Sequence, residues 1–288
     1  FRQVPNTPFC YWADRSLMEA WRRFPSISAS GFTLNHGMAT KQDFRFLRLW
    51  PEVVPNMTGR ENSWIPYAKG GEYSQYYSDV HLLVDWRNSG RHINEYLCKK
   101  YPYLNGNTDW VLHPECHYYY AGLTYSRRTQ KGYSARVLPR NSRFDKNGPT
   151  ITSSTEQELR LLALLSVINS KPFLELLSLV VAFGSYETGL LSFIPVPFQR
   201  ADENSFINSL AKQARLAWSK QRLLDTANEL SHAFILPELL QGEGITLHEV
   251  MSRYGERVAE TLVEFEKLTS EIDQVVSDFY GFKEEKRK

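Results

Sequence analysis

Apolar residues change their spacing along this chain. From residue 246 onward, Val250, Tyr254, Val258, Leu262, Phe265, Leu268, Ile272, Val275, Val276 and Phe279 recur at steps of three and four, the period of one helix face. Thr246-x-x-Glu249 opens this stretch as a capping box and Gly281 closes it, so a helix reaching Tyr280 is predicted. A second amphipathic pattern covers residues 202–235 and is ended by Pro237. Joined by a turn at Gly242–Gly244, the two are expected to pack as a long antiparallel pair. Further upstream, Thr155-x-x-Glu158 is a capping box before LRLLALLSVIN, whose leucines suit a buried helix of about three turns. Lys171–Ala182 reads as another helix, with Pro172 in its first turn. Ser192–Phe198 contains Pro195 and Pro197, so it is extended and no central strand.

Before residue 150 the pattern shortens. Thr33–Leu34, His81–Trp86, Tyr118–Ser126 and Tyr133–Leu138 are rich in β-branched and aromatic residues and read as strands. Lys69-Gly70-Gly71, Asn88-Ser89-Gly90, Asn105-Gly106-Asn107, Lys131-Gly132 and Asn147-Gly148-Pro149 punctuate them as turns. Short helices are expected at Ser16–Arg23 and Gly90–Lys100. The fold class is therefore α+β: a curved mixed sheet with flanking helices in residues 1–200, followed by the helical pair in residues 201–288.

Charge sharpens that division. The 288 residues carry 34 Lys+Arg against 32 Asp+Glu, a net of +2 that argues against a polyanionic partner. Split at residue 150, however, the total becomes +8 beside −6, with 26 of the 39 Phe, Trp and Tyr in the basic half. Cys10, Cys98 and Cys116 are far apart and odd in number, which suits a reducing cytoplasm better than a disulfide framework. The longest apolar run, Leu174–Phe183, contains Glu175 and falls short of the roughly 20 residues of a membrane span. The polar opening FRQVPNTPF is no signal peptide, and Phe1 in place of Met suggests a piece of a longer protein.

The densest chemistry lies in Gly122–Lys146. Arg127, Arg128, Lys131, Arg136, Arg140, Arg143 and Lys146 face the single acid Asp145, with Tyr125, Tyr133, Ser126, Thr129, Gln130 and Ser134 interleaved. Guanidinium groups clamp phosphate or read guanine edges, and hydroxyls and amides add softer contacts, so nucleic acid is favoured over a merely solvated basic hairpin. Lys69-Gly70-Gly71 lets backbone approach an anion but lacks phosphate-loop spacing, and a plain turn is the better reading. His113-Pro-Glu-Cys116-His117 lacks the further ligand pair of a zinc site, so no metal is assigned. Asp79 and Asp85 do not make a nuclease centre. There is no [DN]-P-P-[YF] tetrapeptide and no glycine-rich cofactor loop, since Gly184-Ser-Tyr-Glu-Thr-Gly189 reads as a turn. No catalytic residue is assigned.

Taken together, several blocks resemble a known family. Gly37-Met-Ala-Thr40 with Asp43-Phe-Arg-Phe-Leu-Arg-Leu-Trp50, Trp64-Ile-Pro-Tyr-Ala-Lys-Gly-Gly-Glu-Tyr73 and Val84-Asp85-Trp86 are similar, in order, to blocks of PglX-type proteins. So are Gly122-Leu-Thr-Tyr-Ser126, Tyr133-Ser-Ala-Arg-Val-Leu-Pro139, Phe144-Asp145, Tyr186-Glu-Thr-Gly-Leu190, Ile194-Pro-Val-Pro197, Asp273-x-x-Val276 and Phe279-Tyr-Gly-Phe282. These are adenine-specific DNA methyltransferases of BREX phage-defence systems, akin to type IIG restriction–modification enzymes. The resemblance implies a target recognition region for double-stranded DNA. Its partner would be its own methyltransferase domain, and S-adenosylmethionine would bind upstream, where base flipping would also deliver the adenine. On this basis Lys69, Arg127, Arg140 and Arg143 are expected to contact phosphates, and Lys41, Gln42, Arg128, Lys131 and Arg136 to read base edges. Arg45 and Tyr73 complete the expected DNA-binding set. Two alternatives stay open: a module whose acidic helical pair docks other defence proteins, and an RNA-recognition domain.

Overall fold

The computed structural model describes residues 13–153, 157–181, 184–198, 203–241, 244 and 246–282. Among them, eight strands form two four-stranded sheets. The first is all antiparallel, with β1 (Phe32–Asn35), β8 (Thr150–Ser153), β5 (Gly122–Tyr125) and β6 (Ala135–Leu138) side by side in that order. The second places β2 (Leu47–Leu49), β4 (Leu82–Asp85), β3 (Trp64–Ala68) and β7 (Arg143–Phe144) in that order. Only the β3–β7 pair is parallel, with Tyr67 opposite Arg143 and Ala68 opposite Phe144. The α+β class expected from the pattern holds, with the expected curved sheet divided into two. The sequence pattern marks β1, β4, β5 and β6. It misses β2 and β7, which have only three and two residues and carry Arg48 and Arg143, β3, which carries Pro66, and β8, whose one apolar residue is Ile151.

Helices surround the sheets. α1 (Arg15–Arg23) is capped by Asp14, whose carboxylate accepts from the Leu17 amide at 2.8 Å. α2 (Asp43–Phe46), α3 (Arg87–Lys100) and α4 (Asp109–Leu112) border the second sheet, and α5 (Glu158–Asn169), α6 (Lys171–Ser178) and α7 (Thr188–Ser192) follow the first. The last are α8 (Glu203–Leu224), α9 (Glu238–Gln241) and α10 (Leu247–Tyr280). α10 has the expected capping box, with the Thr246 hydroxyl and Glu249 carboxylate each accepting the other's amide, and Gly281 ends it in the left-handed region. Thr155 and the turn residues Gly242 and Glu243 lie outside the described residues, and α5 begins behind Gln157.

α5 is apolar all round and buried from Leu161 to Asn169, as a helix wrapped on every side must be. It packs against Leu123, Tyr125, Ala135 and Ile151 of the first sheet and against α6, α8 and α10, so one core runs from sheet to helices across residue 200. α8 and α10 run antiparallel: Phe206 stacks on Phe279 while Lys220 pairs with Glu264. A separate core under the second sheet gathers Phe46, Ile65, Tyr67, Val84, Ile93, Leu97 and Phe144. No single described helix is long and apolar enough to cross a membrane.

Two departures from the sequence pattern have simple causes. α8 stops at Leu224 instead of continuing to residue 235. There Thr226 donates to the Leu223 carbonyl at 2.9 Å and the Asn228 side chain takes the Leu230 amide at 3.2 Å, local bonds that compete with the helical ladder. On α10, Leu262 is 43% exposed and Thr261 is buried in its place. Repeated four-residue steps drift around the axis, leaving Leu262 roughly 120° from Val250 while Thr261 is only about 20° away.

Truncating Leu164, fully buried in α5, to alanine should therefore cost about 2–5 kcal/mol in urea unfolding. Leu262→Ala should change stability by no more than about 0.5 kcal/mol, and a comparable loss at both sites would contradict this packing.

Candidate nucleic-acid interface

The basic segment between β5 and β6, residues 126–134, is a loop held from two sides. The Arg127 amide donates to the Asn147 carbonyl at 2.9 Å, and the Arg127 carbonyl accepts from the Tyr186 amide at 2.7 Å. The Thr129 amide donates to the Gly184 carbonyl at 3.1 Å, and a side chain on Gly184 would run into the Thr129 carbonyl oxygen. Arg127 itself turns back onto Glu187 in a two-pronged pair at 2.8–3.0 Å. Burial pushes the Glu187 carboxyl up, but hydrogen bonds from Arg127 and Ser185 outweigh it and hold the group below its ordinary value. Arg127 thus anchors the loop. Arg128, Gln130 and Lys131 are the side chains it displays. Lys131 meets Glu72 at 3.0 Å, but both are well exposed, and such pairs contribute little.

Opposite stands the Lys69–Gly71 loop that follows β3. Gly70 has φ +81°, and a Cβ there would lie 2.6 Å from the Asn147 carbonyl oxygen, so only glycine permits this approach. The Gly71 carbonyl accepts from the Ser126 hydroxyl at 2.8 Å, tying this loop to the basic one. Lys69 pairs with Asp43. Burial raises the Asp43 carboxyl, and hydrogen bonds from Lys69 and Thr40 more than reverse that, leaving it below its ordinary value.

Three hollows meet along this line. Lys69 borders a hollow of about 480 Å3 over Phe44, Arg48 and Leu49, and also a cleft of about 530 Å3. Gly71 and Glu72 join that cleft to a third hollow of about 720 Å3 lined by Tyr73, Arg128, Gln130 and Lys131. The line therefore brings together Lys69, Tyr73, Arg128 and Lys131 from the expected set. Lys41, Gln42 and Arg45 are exposed around α2, next in the chain to Asp43 and Phe44 of the first hollow. Arg45 lies 5.2 Å over the Tyr96 ring. Arg140 is exposed in the turn between β6 and β7.

Two expected residues turn inward. Arg143, expected on a phosphate, is 5% exposed. Its guanidinium lies 3.5 Å from the Trp86 ring centre and 3.8 Å from that of Tyr118, and it donates to the Tyr119 hydroxyl at 2.9 Å. It is a cation held between aromatic faces, a use that a count of charges does not reveal. Arg136, expected to read a base edge, is 2% exposed and lines the central cleft from within. Sequence reasoning also missed Phe44, 96% exposed at the rim, because a four-residue helix has too little pattern to show which side faces out. The histidines named earlier are separated by their partners: His113 lies 2.9 Å from Glu115, and His117 lies 3.0 Å from the Thr152 hydroxyl. Among the described residues no three His, Cys, Asp or Glu stand together as a metal site.

No family model matches this chain. It is similar to the adenine-specific methyltransferase BrxX of Escherichia coli O9:H4 (strain HS), 25% identical over 294 residues, covering 98% of this chain and 22% of the relative. It is likewise similar to the adenine-specific methyltransferase PglX of Lacticaseibacillus casei (strain Zhang), 22% identical over 302 residues, covering 99% of this chain and 24% of that protein. The chain thus spans about a quarter or less of the length of these relatives. Its fold matches part of the type IIL restriction–modification enzyme MmeI, solved in complex with DNA. That match has a TM-score of 0.54 and 14% identity, covering 92% of this chain and 34% of that one. The resemblance read from the sequence blocks is borne out by these relatives.

The Arg127–Glu187 pair gives a pH signature. A carboxyl held below its ordinary 4.5 contributes stability above that value and loses it as pH falls through the folded-state value. The gap in urea midpoint between wild type and Glu187→Gln should be widest at neutral pH and close below about pH 4.5. A gap independent of pH would show that the pair does not hold the loop.

Proposed function

We propose that this chain is the DNA target recognition region of a site-specific N6-adenine methyltransferase of phage defence or restriction–modification, acting in the cytoplasm on double-stranded DNA. The observation that carries the reading is the line of hollows on which Lys69, Tyr73, Arg128 and Lys131 are gathered. Its support comes from relatives named as adenine-specific methyltransferases and from a fold shared with an enzyme solved on DNA. Exposed Arg128 and Lys131 would meet phosphates or base edges directly, with Gln130 and Tyr73 adding hydrogen bonds and stacking. Arg127 and Arg143 would act indirectly, by holding the loop and the second sheet in shape.

The methyl donor fits elsewhere. The Gly184–Gly189 stretch is closed over Thr129 and carries the buried Tyr186, so it offers no cradle for S-adenosylmethionine. That cofactor, the catalytic residues and base flipping belong, on this reading, to the remainder of a longer protein. A second reading is favoured by one feature of the helical end: Ile235, Leu239, Leu240 and Leu247 are all more than half exposed. That surface suits docking of the methyltransferase domain or another defence protein.

A fluorescent-duplex titration tests the first reading. Binding should weaken steeply with salt, and the double variant R128Q/K131Q should lower the slope of log K against log salt by about two. No binding at low salt, or binding without that salt dependence, counts against DNA recognition. Charge reversal of Arg128 and Lys131 that leaves duplex binding intact would favour the docking module. A methyl-transfer assay on this chain alone should be blank.

A further inference from the structure

The central cleft holds a buried cation that none of the carboxylates on its walls reaches. Its carboxylates are all engaged: Asp79 with His232 at 3.0 Å, Asp225 with the Asn228 amide at 3.0 Å, and Glu72 with Lys131 at 3.0 Å. Lys69 is taken by Asp43. Arg136 is different. It sits in β6, 2% exposed, and among the described residues no carboxylate lies within ion-pair distance of it.

Its hydrogen bonds are few and long. Nη1 donates to the Glu72 carbonyl at 3.4 Å, and Nη2 donates to the Ser126 hydroxyl at 3.3 Å. The Ser126 hydroxyl in turn donates to the Gly71 carbonyl, so these contacts fix the guanidinium beneath the glycine loop without neutralising it. Most of the planar donor fork stays uncommitted. Burial pushes the group down to about 10, which leaves it cationic at neutral pH. An unpaired buried charge costs several kcal/mol, a cost removed when a partner arrives from outside.

The surroundings say which partner. At Gly71 a Cβ would lie 3.7 Å from Nη2, so the glycine places no side chain between the guanidinium and the cleft it lines. Gln221 at the end of α8 adds a neutral donor to the wall, while Asn228 and Tyr77, which also line it, direct theirs to Asp225. A paired base cannot be brought flat against a group so deep between α8 and the glycine loop, whereas a phosphate projects from its strand and presents two oxygens to the fork.

The geometry points to Arg136 as the receptor for a phosphate oxyanion at the floor of this cleft, in place of the base-edge role expected from the sequence. The inference rests on the DNA-recognition reading only for the source of the phosphate, which is either a DNA strand or a free phosphorylated molecule.

The test titrates the chain with inorganic phosphate against chloride at matched ionic strength, then with a short duplex. In the wild-type protein, phosphate should shift the Nε–Hε resonance of Arg136, a readout that does not depend on any variant folding. R136Q should weaken phosphate binding about tenfold or more, R136K should keep part of it, and K131Q should keep nearly all. Duplex binding weakened in step with R136Q assigns the phosphate to the DNA strand. Duplex binding untouched by R136Q, or absent in every protein, assigns it to a free ligand, and the second case also removes the DNA reading. Phosphate that leaves the Arg136 resonance unmoved, or binds R136Q as tightly as wild type, overturns the proposal.

Discussion

Between Phe144, which ends a strand of one sheet, and Thr150, which begins a strand of the other, the chain changes layers through residues 145–149. Nearly every element of the proposed face is fastened to that turn. The Asp145 carboxylate, 3% exposed, accepts from the Tyr67 hydroxyl at 2.9 Å and the Asn147 amide at 2.8 Å. Burial pushes its carboxyl up despite those bonds and the nearby Lys69. The Lys146 amide reaches the Met38 carbonyl, the Asn147 carbonyl takes the Arg127 amide, and Gly148 packs on the backbone of Gly70. The glycine loop, the basic loop and the approach to α2 are thereby set relative to one another by backbone contacts. A face built this way displays its cations in a fixed arrangement, as the DNA-recognition role proposed for it would need.

The arginines sort by what surrounds them. Arg127 and Arg143 satisfy interior partners, a carboxylate in one case and aromatic faces in the other. Arg128 and Lys131 stand in solvent, where long-range attraction of a polyanion acts. Arg136 belongs to neither group, being buried like the first yet without a carboxylate or aromatic face among the described residues to hold its charge. A net charge of +6 over Gly122–Lys146 therefore overstates the cationic surface.

The acidic second half is scaffold as much as surface. α5, α8 and α10 share one core with the first sheet, and the end of α8 forms a wall of the central cleft. The loop after α8 is in turn pinned to the second sheet by Trp50, which donates to the Leu230 carbonyl at 2.8 Å and stacks on His232 at 4.7 Å. Helical half and basic half thus build the cleft jointly.

Local chemistry was enough to determine several things about this protein. The α10 capping box, its Gly281 stop, the all-round apolar α5 and the basic, aromatic first half are legible because each depends on residues close in sequence. The ordered blocks likewise placed the chain beside its relatives. Tertiary structure alone decided which cations face outward, because Arg127 finds Glu187 sixty residues away and Arg143 finds Trp86 and Tyr118 in other elements. It also decided the two-sheet division, the early end of α8 and the burial of Arg136. Each of these turns on contacts between distant segments, and on a desolvation cost that exists only once the chain has folded around the group.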